Sequence, residues 1–213
     1  MPSSKEILMR CTQLIAALAM CCLLTTLCRS AEEPVLNFDG KNLKGWHEIG
    51  KGTWTIEDGV LIGRHPASEG EFGHLVTDAT WSDFTARVVF KSVKGNSGFY
   101  FRIEEKGFSG VSGFQAEIDP KQDVGGLYET NGRGWVVKPT AEELKKFYNF
   151  GDWNTMVVTA RGTRVRVEVN GVKTAEIDDP KGRLKGRIAL QLHGGQDVEV
   201  RFKEVRITAA KAN

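Results

Sequence analysis

Three stretches of this chain pair an apolar set of side chains with a polar set at every second residue. In the first, Phe99, Phe101 and Ile103 alternate with Tyr100 and Arg102. In the second, Phe114, Ala116 and Ile118 alternate with Gln115, Glu117 and Asp119. In the third, Ile188, Leu190 and Leu192 alternate with Gln191 and His193. Successive side chains of a β-strand point to opposite faces, so each stretch buries one set and presents the other. The presented set holds a phenol, a guanidinium, amides, carboxylates and an imidazole, not the lysines and threonines that usually fill a solvated face. It supplies donors, acceptors, an aromatic plate and a titratable base. Sugars offer the complement, with hydroxyls around the rim and C–H faces that stack on aromatic rings. The competing reading is a solvated face of chance composition. It loses force only if the three strands are neighbours.

His193 closes its strand just before Gly194-Gly195, which places an acid or base active near neutral pH at a sheet rim beside a flexible loop. Its plainer reading is a histidine that satisfies a turn carbonyl. Glu117 and Asp119 lie two residues apart, about 6.6 Å between Cα atoms on a strand. That is close to the spacing of paired glycosidase carboxylates. Some β-sandwich glycosidases carry Glu-x-Asp-x-x-Glu on one strand, but here the third acid is replaced by Gln122. Pro120 also ends the strand, so Asp119 reads equally well as a turn residue. Trp135, Tyr128 and Trp81 could wall a sugar site, and Trp135, after Gly132-Arg133-Gly134, has the most loop-like setting. His47, His65 and His74 fall in apparent early loops and show no metal-ligand spacing. Oxygen ligands leave no diagnostic spacing here, so the sequence requires no cofactor and is silent on a divalent cation.

The elements that must position these groups are mostly strands. Trp54 to Ile62 reads as a hairpin around Glu57-Asp58-Gly59. Phe84 to Phe90 alternates with period 2. Val165 to Val169 runs into Asn170-Gly171, a primed-turn signal, and Val172 to Ile177 returns. The last strands are Ile188 to Leu192 and Val198 to Ile207. One short helix is expected after Thr140, with Glu143 completing a capping box and Leu144 and Phe147 on its apolar side. About a dozen short strands and 24 glycines point to two packed antiparallel sheets.

Residues 1–30 have a different character. Lys5 and Arg10 precede an almost wholly apolar run from Leu14 to Leu27, and Cys28 to Ala31 offers a cleavage region. This is the layout of a signal peptide, too short for a comfortable membrane span. An uncleaved anchor is the alternative. A lipoprotein is another, although Met20 is bulky where a small residue should precede Cys21. The expected product is an exported, periplasmic or extracellular domain spanning 31–213. All of Cys11, Cys21, Cys22 and Cys28 lie in the leader, so the mature domain has no disulfide and must rest on its core. Taking Lys5, Arg10, Arg29 and Glu6 away from the 29 basic and 27 acidic residues leaves 26 of each. A neutral body without a basic stripe argues against a nucleic-acid partner and leaves a small carbohydrate as the expected one.

The chain resembles the 3-keto-disaccharide hydrolase family. The likeness is carried by Leu36-Asn37-Phe38-Asp39-Gly40, Gly45-Trp46, Asn96-Ser97-Gly98 and Phe101-Arg102. It continues in Gly113 to Asp119, Gly125-Gly126-Leu127-Tyr128 and Asp152-Trp153-Asn154, and ends in Val169-Asn170-Gly171 and Ile188 to His193. These run in the family's order over nearly the whole mature chain. Many relatives order the middle strand Glu-x-Gln, whereas this chain has Gln115-Ala116-Glu117. The resemblance implies an all-β, concanavalin A-like jelly-roll sandwich acting on glycosides whose C3 hydroxyl is oxidised to a ketone, by hydrolysis or by elimination across C1–C2 with hydration to follow. A ketone at C3 acidifies the C2 hydrogen, so the reaction needs one base, one enolate stabiliser and an acid for the leaving oxygen. On this reading Glu117 or His193 is the base and Arg102 holds the enolate oxygen. Tyr128, or the other of Glu117 and His193, assists departure, while Tyr100, Gln115, Asp119, Trp135 and Gln191 bind substrate. A non-catalytic carbohydrate-binding module and a conventional glycosidase are the competing readings.

Overall fold

The computed structural model describes residues 36–210 of the 213-residue chain. They fall in one compact unit, Glu33–Asn213, and the expected leader lies outside the described residues. Fifteen strands, one short helix and no helix long and apolar enough to cross a membrane are found among them.

One sheet runs in the order β13 (Val172–Asp178), β12 (Arg164–Val169), β11 (Asn154–Arg161), β6 (Phe84–Lys94), β15 (Val198–Ala209), β4 (Val60–His65), β3 (Thr53–Glu57). The short β1 (Leu36–Asn37) also pairs with β15. The other runs β10 (Gly134–Val137), β9 (Leu127–Thr130), β8 (Gly110–Ile118), β7 (Ser97–Lys106), β14 (Arg187–Leu192), β5 (Gly73–Thr77), β2 (Trp46–Gly50). Every pairing is antiparallel, giving the two-sheet sandwich expected from the sequence. The three chemistry-bearing strands are direct neighbours in the order β8-β7-β14.

The inner faces form one core. Phe99, Phe101, Phe114, Ile118 and Leu190 of the second sheet meet Phe84, Val88, Phe90, Val158 and Phe202 of the first. In the first sheet, burial alternates with the pleat, as in β12, where Val165, Val167 and Val169 are buried and Arg164 and Arg166 are exposed. In the second sheet it does not. Residues Ser97 to Ile103 of β7 and Phe114 to Ile118 of β8 are buried without interruption. A strand buried on both sides has its second face covered as well, so the polar set there is not a solvated surface.

Local signals behave as their chemistry requires. Asp58-Gly59 and Asn170-Gly171 all take positive φ at two-residue hairpin turns. The helix α1 (Ala141–Phe147) starts at Thr140, whose hydroxyl accepts from the Glu143 amide, while the Glu143 carboxylate accepts from the Thr140 amide. Leu144 and Phe147 are its buried residues.

One register departs from simple alternation. β7 and β8 slip between Phe101 and Glu104, opposite Phe114 and Ser112, and Arg102 sits in the left-handed region at φ +51°. Such a bulge inserts an extra residue and turns a side chain aside. Ile103 therefore packs with Tyr100, Val76 and Val111 on the outer face, not with Phe101 as the alternation predicts.

Candidate active site

The outer face of the second sheet carries an open cleft of about 640 Å³. Its floor is a connected chain of hydrogen bonds across four strands. The Tyr100 hydroxyl lies 2.9 Å from Thr130 Oγ1 and accepts from Gln191 Nε2 at 3.1 Å. Gln191 Oε1 accepts from Gln115 Nε2 at 3.4 Å, and the same amide nitrogen donates to Glu117 Oε2 at 2.8 Å. The other carboxyl oxygen of Glu117 accepts from Asn96 Nδ2. Backbone sterics allow this layout. A Cβ on Gly98 would stand 2.4 Å from Gln115 Nε2, so only glycine leaves room for that amide to lie across β7.

Burial sets the electrostatics. Glu117 is almost fully covered, and loss of hydration pushes its carboxyl up to about 8 from the usual 4.5. The bond from Asn96 and the charge of Lys138 oppose the shift, while Asp119 and Asp123 add to it. At neutral pH Glu117 is therefore largely a neutral acid. Burial likewise raises the Tyr100 hydroxyl far above neutrality and keeps it a phenol.

His193 lies at the cleft edge, packed against Phe72 at 4.6 Å between ring centroids. Its Nδ1 is 2.7 Å from the Gly194 carbonyl. A carbonyl can only accept, so this shorter contact, against 3.2 Å to the Gln196 amide nitrogen, places a proton on Nδ1, and in the neutral ring Nε2 keeps the lone pair. Both readings of His193 thus hold together: it satisfies a turn carbonyl, and that contact fixes the tautomer of a base. The rim opposite is aromatic. Trp135 stands edge-on to Tyr128 at 5.3 Å, is 38% exposed, and carries Lys138 over its ring at 4.8 Å. Lys138 is also paired with Asp123 at 3.2 Å.

Glu117, His193, Tyr100, Gln115, Gln191, Tyr128 and Trp135 all line this cleft. Arg102 and Asp119 do not, which corrects two expectations. The bulge turns Arg102 to the end of the sandwich, where its guanidinium donates to the carbonyls of Ser82 (2.8 and 3.0 Å), Gly162 (2.8 Å) and Arg183 (3.4 Å). It is a buried structural clamp and cannot reach a sugar in the cleft. Asp119 follows the last residue of β8 and accepts from the amides of Lys121 and Gln122 at 2.7 and 3.0 Å, so it is a turn residue. Trp81 is buried in the core and is not part of a sugar wall.

The cleft also contains groups the sequence reading passed over. Asn96 and Lys138 are two. His74 is the third, and it is the second residue of β5 and not in a loop. The available signal was the run Gly73-His74-Leu75-Val76-Thr77, where Leu75 faces the core and His74 and Val76 face the other way. Burial drops the His74 imidazole to about 4. The Ser109 backbone lies near enough to oppose that shift, but no hydrogen bond of good geometry reaches either ring nitrogen. Among the described residues no three His, Asp or Glu side chains converge as a metal site would need.

Residues 33–208 match the model of the 3-keto-alpha-glucoside-1,2-lyase-like domain. The chain belongs to this family. Membership ties it to carbohydrate chemistry, as the sugar-complementary strand face suggests. No curated protein matches the sequence. Among solved structures, a candidate glycosyl hydrolase from Parabacteroides distasonis aligns with TM-score 0.60 at 20% identity, over 82% of this chain and 92% of that one. A carbohydrate binding module from Bacillus subtilis aligns with TM-score 0.59 at 20% identity, over 79% and 98%. A Bacillus subtilis protein of unknown function with a galectin-like fold gives TM-score 0.67 at 12% identity, over 86% and 99%. At these identities the likeness establishes the fold alone, and that fold hosts both enzymes and binding modules.

Proposed function

We propose that this protein cleaves 3-keto-glycosides by elimination across C1–C2, with hydration of the product as a second step, and that it acts after export from the cytoplasm. The observation that carries the reading is the pairing, in one cleft, of a buried carboxyl kept protonated near neutral pH with an imidazole whose tautomer leaves Nε2 free. A protonated carboxyl that shares a cleft with an imidazole bearing a free ring nitrogen supplies one acid and one base. His193 Nε2 takes the C2 proton, and the electrons of that bond form the C2–C3 double bond as the ketone becomes an enolate. When the ketone reforms, the pair moves to C1–C2 and the C1–O bond breaks. Glu117 gives its proton to the departing oxygen. Each carboxyl oxygen accepts one amide hydrogen bond and retains a second site for such a transfer. Tyr128 and Trp135 provide the aromatic wall for the sugar ring.

Incubating the purified domain with 3-keto-trehalose and with unoxidised trehalose, and weighing the products by mass spectrometry, tests this directly. Release of glucose from the ketone alone is expected. Cleavage of both sugars would show a conventional glycosidase. A second reading, a non-catalytic binding module, draws support from the exposed Trp135 on the rim. It predicts saturable sugar binding with no product from either disaccharide.

A further inference from the structure

The cleft holds one buried polar side chain, His74, that no hydrogen bond of good geometry reaches, with the Ser109 backbone near enough only to bear on its charge. Tyr100, Gln191, Gln115, Asn96 and Glu117 are all engaged with one another. Among the described residues, buried side-chain nitrogens or oxygens without a partner occur on His74, Trp81, Ser92 and Glu204. Of these only His74 lines the cleft, and it is unpartnered at both ring nitrogens. A buried donor or acceptor left unmet costs about 1–3 kcal/mol. The ring has little room to turn away. It sits opposite Gln191 of β14 and Ile49 of β2 in the sheet register, between the rings of Phe72 at 6.3 Å and Tyr100 at 5.6 Å.

We infer that His74 donates a hydrogen bond to the C3 oxygen of the keto-sugar and holds the negative charge that gathers there as the enolate forms. This rests on the cleavage reading above and supplies the oxygen partner that Arg102, clamped elsewhere, cannot be. The chemistry of the group suits the task. A ketone oxygen only accepts, so its recognition requires a donor. Burial keeps the imidazole neutral at working pH, so it offers one N–H and one lone pair. A neutral imidazole N–H is a known way to polarise a carbonyl without a full positive charge. The second ring nitrogen can accept from a neighbouring sugar hydroxyl. Because the donor is fixed before substrate arrives, it strengthens as charge develops and needs no rearrangement.

The test uses 1,5-anhydro-3-keto-glucitol, which has the ketone and the C2 hydrogen but no exocyclic oxygen at C1 to leave. In heavy water the wild-type protein should exchange the C2 hydrogen for deuterium. His74→Phe should slow exchange by about 10²–10³-fold. His74→Gln, which keeps a neutral donor, should lose about tenfold or less, whereas a merely structural histidine would not be rescued by an amide. A folded Phe variant exchanging within about threefold of wild type would overturn the role of His74 while leaving cleavage of 3-keto-trehalose intact as a separate result. Exchange that depends on His74 without cleavage of the disaccharide would support His74 and sink the cleavage reading. A wild-type protein that does neither refutes both. Should the Phe variant fail to fold, the ¹⁵N resonances of the His74 ring decide. A shift on saturation with the anhydro-ketone supports the inference, and no shift overturns it.

Discussion

Glu117→Gln should make this protein more resistant to unfolding at alkaline pH, even though it alters a buried, hydrogen-bonded group. The folded protein holds the Glu117 proton up to about pH 8, while the unfolded chain releases it near 4.5. Between those values the folded state binds more protons, so stability falls as pH rises through that window and is level above it. A gap from 4.5 to about 8, at about 1.4 kcal/mol per pH step, amounts to about 5 kcal/mol withheld from the fold at pH 9. Glutamine carries no charge at any pH and removes this slope. It has its own cost: both carboxyl oxygens now accept from amide donors, Asn96 and Gln115, and an amide nitrogen must face one of them. That mismatch costs about 1–3 kcal/mol at every pH. The variant should therefore be weaker than wild type at pH 5 and stronger by about 2–4 kcal/mol at pH 9. Urea unfolding followed by tryptophan fluorescence at pH 5, 7 and 9 measures both proteins without added salt screening. All other titrations cancel in the comparison. Parallel stability curves across pH 5–9 would refute the claim that Glu117 is held neutral by burial, and with it the acid role.

Arg102→Met should cost at least about 3 kcal/mol in urea unfolding, because it strands the carbonyls of Ser82, Gly162 and Arg183. Turnover per folded molecule should be unchanged, and a stable but inactive variant would restore a catalytic role for this residue. Trp135→Ala should weaken sugar binding by about 2–10-fold in calorimetry, the worth of one aromatic contact, with stability nearly unaffected. Unaltered affinity would remove Trp135 from the sugar wall. Thr140→Ala should lower stability by about 1 kcal/mol through loss of the helix cap, without touching turnover. A change in unfolding free energy indistinguishable from zero would mean that the cap contributes nothing.

Much of the molecule was legible before any coordinates. The alternation in Phe84 to Phe90 and in Val165 to Val169 marks strands with one buried face, and the structure makes them β6 and β12, each paired with β11 between them. Asn170-Gly171 and Thr140-x-x-Glu143 name their turn and cap because each needs only nearby residues: positive φ in one case, two reciprocal bonds in the other. The same alternation picks out Tyr100, Gln115, Glu117 and Gln191 as sharing a character unlike a solvated surface. It also assigns them to the correct side of their strands.

What the sequence determined by itself is thus the strands and which side of each is polar, which follow from the two-residue period of extended backbone, and the turns, which follow from residues that tolerate positive φ. Whether those polar sides meet was decided only by long-range pairing, which sets β8, β7 and β14 side by side. A single extra residue in that pairing changed the outcome for Arg102. Local alternation cannot register a bulge, because the slip exists only relative to the partner strand. His74 shows the converse. Nothing within its own segment says that its ring nitrogens are without partners, because that depends on what β2, β14 and the Phe72 loop place around it. Burial, and the protonation states that follow from it, belong to the tertiary structure for the same reason: removing water from a side chain takes neighbours that are remote along the chain.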